Sequence, residues 1–160
     1  MERNLDDDHP VKHMPDQEYK LTLNETQAQV MVDALDIYMR LGMGQLTEIA
    51  EHPDLRKRIF QTDDSMSMGP IRAVLKALKH VIFRDLGDNH YFSISSPEIG
   101  DCNRVANDIR QVIRHRLSWD RAGNPPERDN WTMFGPIYDP PKKYSNEPLP
   151  TIEAVNLNTP

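Results

Sequence analysis

The chain is poor in the residues that build several familiar kinds of site. It holds one cysteine, Cys102, in 160 residues. A single thiol excludes an internal disulfide and a cysteine-built zinc site, and it fits a reducing compartment. No apolar run approaches the ~18–20 residues that a membrane-spanning helix needs. The opening MERNLDDDHP is acidic and polar, so no secretory leader is expected. There is no Gly-x-Ser-x-Gly, no P-loop and no dinucleotide fingerprint between a strand and a helix. A basic surplus is missing too. The net charge is −6, which argues against a dedicated nucleic-acid binder.

What is present is unevenly placed. Residues 1–54 hold 12 acids and 4 bases, residues 55–121 hold 8 and 12, and residues 122–160 hold 5 and 3. A mildly basic middle thus lies between acidic flanks. It suits a local pocket for phosphates or an acidic partner, or simply a solvated charged surface. The chain has 13 prolines against 7 glycines, and eight of the prolines fall in residues 125–160. Three regions follow. Residues 1–18 read as a flexible acidic arm, 19–121 as a helical domain, and 122–160 as an extended proline-rich strap. Aromatic and aliphatic residues scattered through that last region, from Trp131 to Val155, suggest docking onto the helices or onto a partner.

Apolar periodicity predicts a mainly α fold with three long helices, 24–51, 70–86 and 98–118. Asn24 and Gln27 form a capping box at the first. That helix is apolar over most of its girth, so it is expected at the centre, with all three helices packed around residues 30–41. HPDLRKRIF, from His52, is expected as one short helix with Pro53 in its first turn. HYFSISS, from His90, alternates weakly and reads as a short strand or an extended connector. Cys102 falls on the apolar stripe of the third helix and is expected in the core.

Two stretches carry candidate binding residues. In ALDIYMRLGMGQLTEIAEHP, from Ala34, two glycines interrupt a helical pattern at a penalty of roughly 1 kcal/mol each relative to alanine. Close approach of another helix at Gly42, or a kink near Gly44, explains them. Alternatively the missing side chains make room for a ligand or partner, with Tyr38, Gly42 and Gln45 on one stripe. The third helix places Arg104, Asp108, Gln111 and His115 at helical intervals, with Arg110 and Arg114 on the adjoining row. Arginine forks suit phosphates and carboxylates. Local ion pairs on a solvated face are the plainer alternative.

The histidines are scattered. His9 and His13 have an i,i+4 spacing, but Pro10 lies in the expected arm, so no metal site and no cofactor is assigned. The acidic pairs Glu48-x-x-Glu51 and Glu98-x-x-Asp101 resemble the motif of the all-α, MazG-like nucleotide pyrophosphohydrolases. That resemblance implies Mg²⁺-dependent hydrolysis of a nucleoside triphosphate, with Glu48, Glu51, Glu98 and Asp101 as ligands. The pairs are separated by a whole extra helix, and Pro97 and Gly100 put the second at a helix start.

ALDIYMRLGMGQLTEI, ANDIRQVIRHRLSW and the tail NWTMFGPIYDPP to EPLPTIE together resemble a group of small uncharacterised accessory proteins of tailed bacteriophages. The resemblance covers most of residues 20–155 and carries no functional residues with it. It implies expression in the cytoplasm of an infected bacterium. The function it suggests is counter-defence by binding, meaning inhibition of a host or anti-phage defence protein. A homo-oligomer and sequestration of a small phosphorylated nucleotide in an arginine-lined pocket are the other expectations. Nucleic acid and membrane are not expected partners.

Overall fold

A computed structural model describes residues 18–53, 56–57, 68–122 and 139–153. The chain is mainly helical, with three long helices and one short one among the described residues, and no strand. The elements are α1 (Glu25–Gly42), α2 (Glu48–Glu51), α3 (Met68–Ile82) and α4 (Asp101–Ala122).

α1 begins where its sequence says it should. The Asn24 side chain accepts from the Gln27 amide at 2.9 Å, and the Gln27 side chain accepts from the Asn24 amide at 2.9 Å. Its end differs from expectation. The predicted helix 24–51 stops at Gly42, because Gly44 takes a left-handed φ of 77°. The Gln45 amide reaches back to the Arg40 carbonyl at 2.9 Å and the Gly44 amide to Leu41 at 3.1 Å. These are the two bonds of a Schellman motif, which satisfies the last carbonyls and turns the chain. The apolar period continues through the break and hid it. α2 is the remnant of the expected helix beyond that turn.

α1 and α4 run antiparallel as the main pair. Arg121, at the end of α4, meets Glu25 at 2.8 Å, and Asn103, at its start, donates to the Tyr38 carbonyl at 3.0 Å. Between them Ala28, Val32, Ile113 and Leu117 are buried, flanked by Leu23, Met31, Leu35 and Ile109. A second cluster, Met39, Met43 and Ile99, is covered by Phe92 and Ile94. At Gly42 the two helices are in close contact. A Cβ there would lie 2.3 Å from the Asn103 side chain, so glycine admits the neighbouring helix.

Two further expectations are corrected, and of the two readings of HYFSISS the extended connector holds. Only α4 packs closely along α1, and α3 touches no helix but α2 among the described elements. α1 is therefore buried on one side, while Val30 and Tyr38 are exposed. Cys102 is exposed rather than in the core, since α1 lies against the neighbouring rows of α4. HYFSISS is the connector and not a strand. The Phe92 amide donates to the Met43 carbonyl at 3.0 Å, and no ladder forms around it. His52 caps α2, and Pro53, Arg56 and Lys57 are helical, but the rest of HPDLRKRIF and all of the arm except Glu18 lie outside the described residues. So do Trp131, Phe134, Ile137, Tyr138 and Val155.

Candidate functional site

The polar row of α4 is covered rather than solvated. Residues 139–153 lie along it, so the strap docks in cis. Asp108 is the anchor and is 1% exposed. Its carboxylate accepts from the Tyr144 amide at 3.0 Å, the Ser145 amide at 2.9 Å and the Ser145 hydroxyl at 2.7 Å. A buried charge needs this degree of hydrogen bonding to be tolerated. Gln111 makes a reciprocal pair with the Lys142 backbone, accepting from its amide at 3.2 Å and donating to its carbonyl at 3.1 Å. Asp101 accepts from the Asn146 amide at 3.1 Å. The spacing 101, 108, 111 keeps the three side chains on one helical row.

Strap and helix form a half-open cavity of about 240 Å³. Asn107, Arg110, Gln111 and Arg114 line it from α4, Pro141 and Tyr144 from the strap. Ile94 and Asp139 complete the wall. Arg110 Nη2 pairs with Asp36 of α1 at 2.7 Å, yet its buried Nε has no hydrogen-bond partner. Asn107 is 7% exposed, and its Nδ2 also lacks a partner. A buried donor left unsatisfied costs about 1–3 kcal/mol. Burial pushes the Arg110 guanidinium below its ordinary pKa, Asp36 opposes the shift, and the charges of Arg114 and Arg40 add to it.

Of the residues singled out from sequence, Arg110, Gln111 and Arg114 line this cavity. Gln45 reaches it only through a relay. Arg40 donates to Gln45 Oε1 at 2.7 Å and to Asp36 Oδ2 at 2.6 Å, and Asp36 carries Arg110. Arg104 is diverted to structure, donating to the carbonyls of Ile94 at 3.3 Å and Ser96 at 2.7 Å. His115 accepts from the Trp119 indole at 3.0 Å and lines a separate groove with Leu149, Pro150 and Ile152. Tyr38 and Gly42 sit where α4 crosses α1. Asn107 was missed as a site residue. It lies on the same polar face in the sequence, but nothing there reveals that the strap encloses it.

The four acids of the hydrolase motif are not brought together. Glu51 pairs with Arg72 and Arg56, and Glu48 lies 3.6 Å from Arg40. Glu98 accepts from the Ser96 hydroxyl, and Asp101 holds the strap. Among the described residues no group of three or more His, Cys, Asp or Glu side chains is placed to hold a metal ion.

α3 offers a second surface of a different kind. Val74, Leu78, Val81 and Ile82 are 68%, 45%, 70% and 57% exposed, with Ala73 and Ala77 exposed beside them. What α3 turns inward is a lysine. Lys79 is 4% exposed and donates to the carbonyls of Gly87 at 2.9 Å, Asp88 at 3.1 Å and His90. Burial lowers its pKa, Asp88 opposing and Lys76 reinforcing. The salt bridge from Arg72 to Glu51 fixes the near end of the helix. A 15-residue amphipathic helix thus points its apolar stripe away from the body. No helix among the described residues is long and apolar enough to cross a membrane.

No family model matches the chain, and no curated protein or solved structure is significantly similar to it.

Proposed function

We propose that this protein acts by docking a partner protein on the outward face of α3. The observation that supports the reading is that stripe itself. Ala73, Val74, Ala77, Leu78, Val81 and Ile82 are all exposed and share one side of the helix, bordered by the exposed polar Arg72 and His80. Apolar patches of this kind on a folded chain mark interaction sites. The two alanines, one turn apart, let a second helix approach closely beside the larger side chains. The partner chemistry is therefore an apolar helix or the groove that receives one, the mode by which amphipathic helices are read. On this reading, and in line with the resemblance to phage accessory proteins, the partner is a host or anti-phage defence protein in the cytoplasm of an infected bacterium, whose own contact is blocked.

The test compares the wild-type chain with Val81→Asp and Val74→Asp as baits in infected cells, followed by binding of the purified candidate. Both sites are largely exposed, so both variants are expected to fold. A partner that binds the purified wild-type protein and loses at least tenfold in affinity to Val81→Asp supports the reading. Equal binding by all three baits would falsify it. So would light scattering that shows a wild-type dimer dissolved by Val81→Asp, because the stripe would then serve self-association.

A further inference from the structure

We infer that the cavity between α4 and the strap is a binding site for a small-molecule anion, a phosphate or carboxylate group held by Asn107, Arg110 and Arg114. This is independent of the α3 surface, which lies on a different helix. Three observations carry it.

The first is the pair of orphaned donors. Three buried side-chain atoms among the described residues lack a hydrogen-bond partner: Asn107 Nδ2 and Arg110 Nε, whose residues line the cavity, and Asp36 Oδ1, which lies 2.7 Å from Arg110 Nη2. Folded chains leave few such atoms unexplained, and a missing ligand is one of the recognised explanations. The two that belong to the cavity wall are donors, and a guest that reached them would be an acceptor. The second is the charge. Arg114 lines the cavity too, is exposed, and forms no ion pair with any described acid. A guanidinium fork beside two N–H donors matches the oxygens of a phosphate or carboxylate. Asp139 is the acidic residue of the lining, and it faces the ligand as an acceptor for a hydroxyl or amine. The third is size. About 240 Å³ is below the range of about 300–1,000 Å³ typical of drug-sized ligands, so the guest is small. Pro141 and Tyr144 give it an apolar wall.

The site has a built-in coupling. Three of its eight lining residues belong to the strap, and the strap is held by Asp108, the next residue along α4 from Asn107. A ligand that touches Pro141 and Tyr144 stabilises the docked strap, and a released strap dismantles the site.

The experiment uses the full chain with inorganic phosphate, acetate and adenosine monophosphate as probes, read by calorimetry and backbone amide spectra at low salt. At least one probe is expected to bind and to shift the amides of residues 107–114 and 141–145. Arg114→Ala is expected to weaken that binding about tenfold or more. Asn107→Leu is expected to weaken it similarly while leaving the ligand-free melting temperature unchanged or raised, because the amide it removes is unsatisfied. Arg116→Ala, paired with Asp120 outside the cavity, serves as the control and should bind as wild type. Phosphate and acetate binding alike identify the shared oxygen chemistry, and adenosine monophosphate alone identifies a nucleotide. The proposal is overturned if no probe binds, if Arg116→Ala loses as much affinity as Arg114→Ala, or if Asn107→Leu melts well below wild type, which makes Asn107 structural.

Discussion

α4 has two covered faces, and they are covered in different ways. Toward α1 it presents Ile109, Ile113 and Leu117, and the seam holds by removing apolar surface from water. Toward the strap it presents Asp101, Asp108 and Gln111, and the seam holds by hydrogen bonds to named backbone atoms. The first kind of contact is strong, tolerant of detail and cooperative with the whole fold. The second is weaker in net terms, since every bond replaces one to water, but it fixes a single register. One helix therefore carries a seam that cannot open without unfolding and a seam that can.

The contrast is broken most severely at Ile113. Ile113→Ala removes buried methylenes from the α1 seam and is expected to cost about 2–5 kcal/mol. Thermal unfolding should show the loss in one transition that takes both seams with it. A change in the strap alone, with α1 and α4 intact, would contradict the ordering.

Asp108→Ala comes next, at about 1–3 kcal/mol, from two backbone amides and a hydroxyl left without their acceptor. Hydrogen exchange is the sharper readout here. Amides of residues 142–146 should lose protection while those of Val32 and Ile113 keep it, which is local opening in the strict sense. Retained protection at Tyr144 and Ser145 would show that the strap is held by something other than this carboxylate.

The smallest effect concerns neither seam and so serves as a reference. The hydrogen bond from His80 holds the Asp88 carboxyl below its ordinary 3.8, desolvation opposes, and the charge of Lys76 adds to the depression. A depressed acid stabilises the fold above its unfolded value, and the gain is lost as pH falls through the folded one. Below pH 3.8 the junction of α3 with residues 86–90 should therefore loosen in the wild type. Asp88→Asn should flatten that acid limb and leave exchange at Ile113 as it was. Superimposable acid limbs would remove Asp88 from the account.

The sequence made some of this legible. Asn24 and Gln27 located the start of α1 because a capping box is a local device, complete within four residues. The α1–α4 core followed from periodicity. Gly44 was visible as an anomaly, but whether a glycine kinks a helix, admits a neighbour or ends it depends on φ, and only the fold reveals the value of 77°. The outward turn of α3 was not legible at all. Its stripe looks like any core stripe until Lys79 is seen taking the inward position. The cavity residues divide in the same way. Arg110, Gln111 and Arg114 stood out by type and spacing, whereas Asn107 and the strap wall became relevant only when residues more than 30 positions apart met, as in the Gln111–Lys142 pair.

The separation of α1 from α4 along the chain has a kinetic side. The contacts that join them span 65 residues between Tyr38 and Asn103 and 96 between Glu25 and Arg121. At the usual pace of synthesis, about 5–20 residues per second, α1 waits roughly 3–20 s before its partner has been made. For that interval its apolar stripe has nothing of its own chain to cover it. The Schellman turn at Gly44 then takes on a second meaning. It completes the hydrogen bonds at the end of α1 from local residues alone, so the end of the helix is defined while the helix is still waiting.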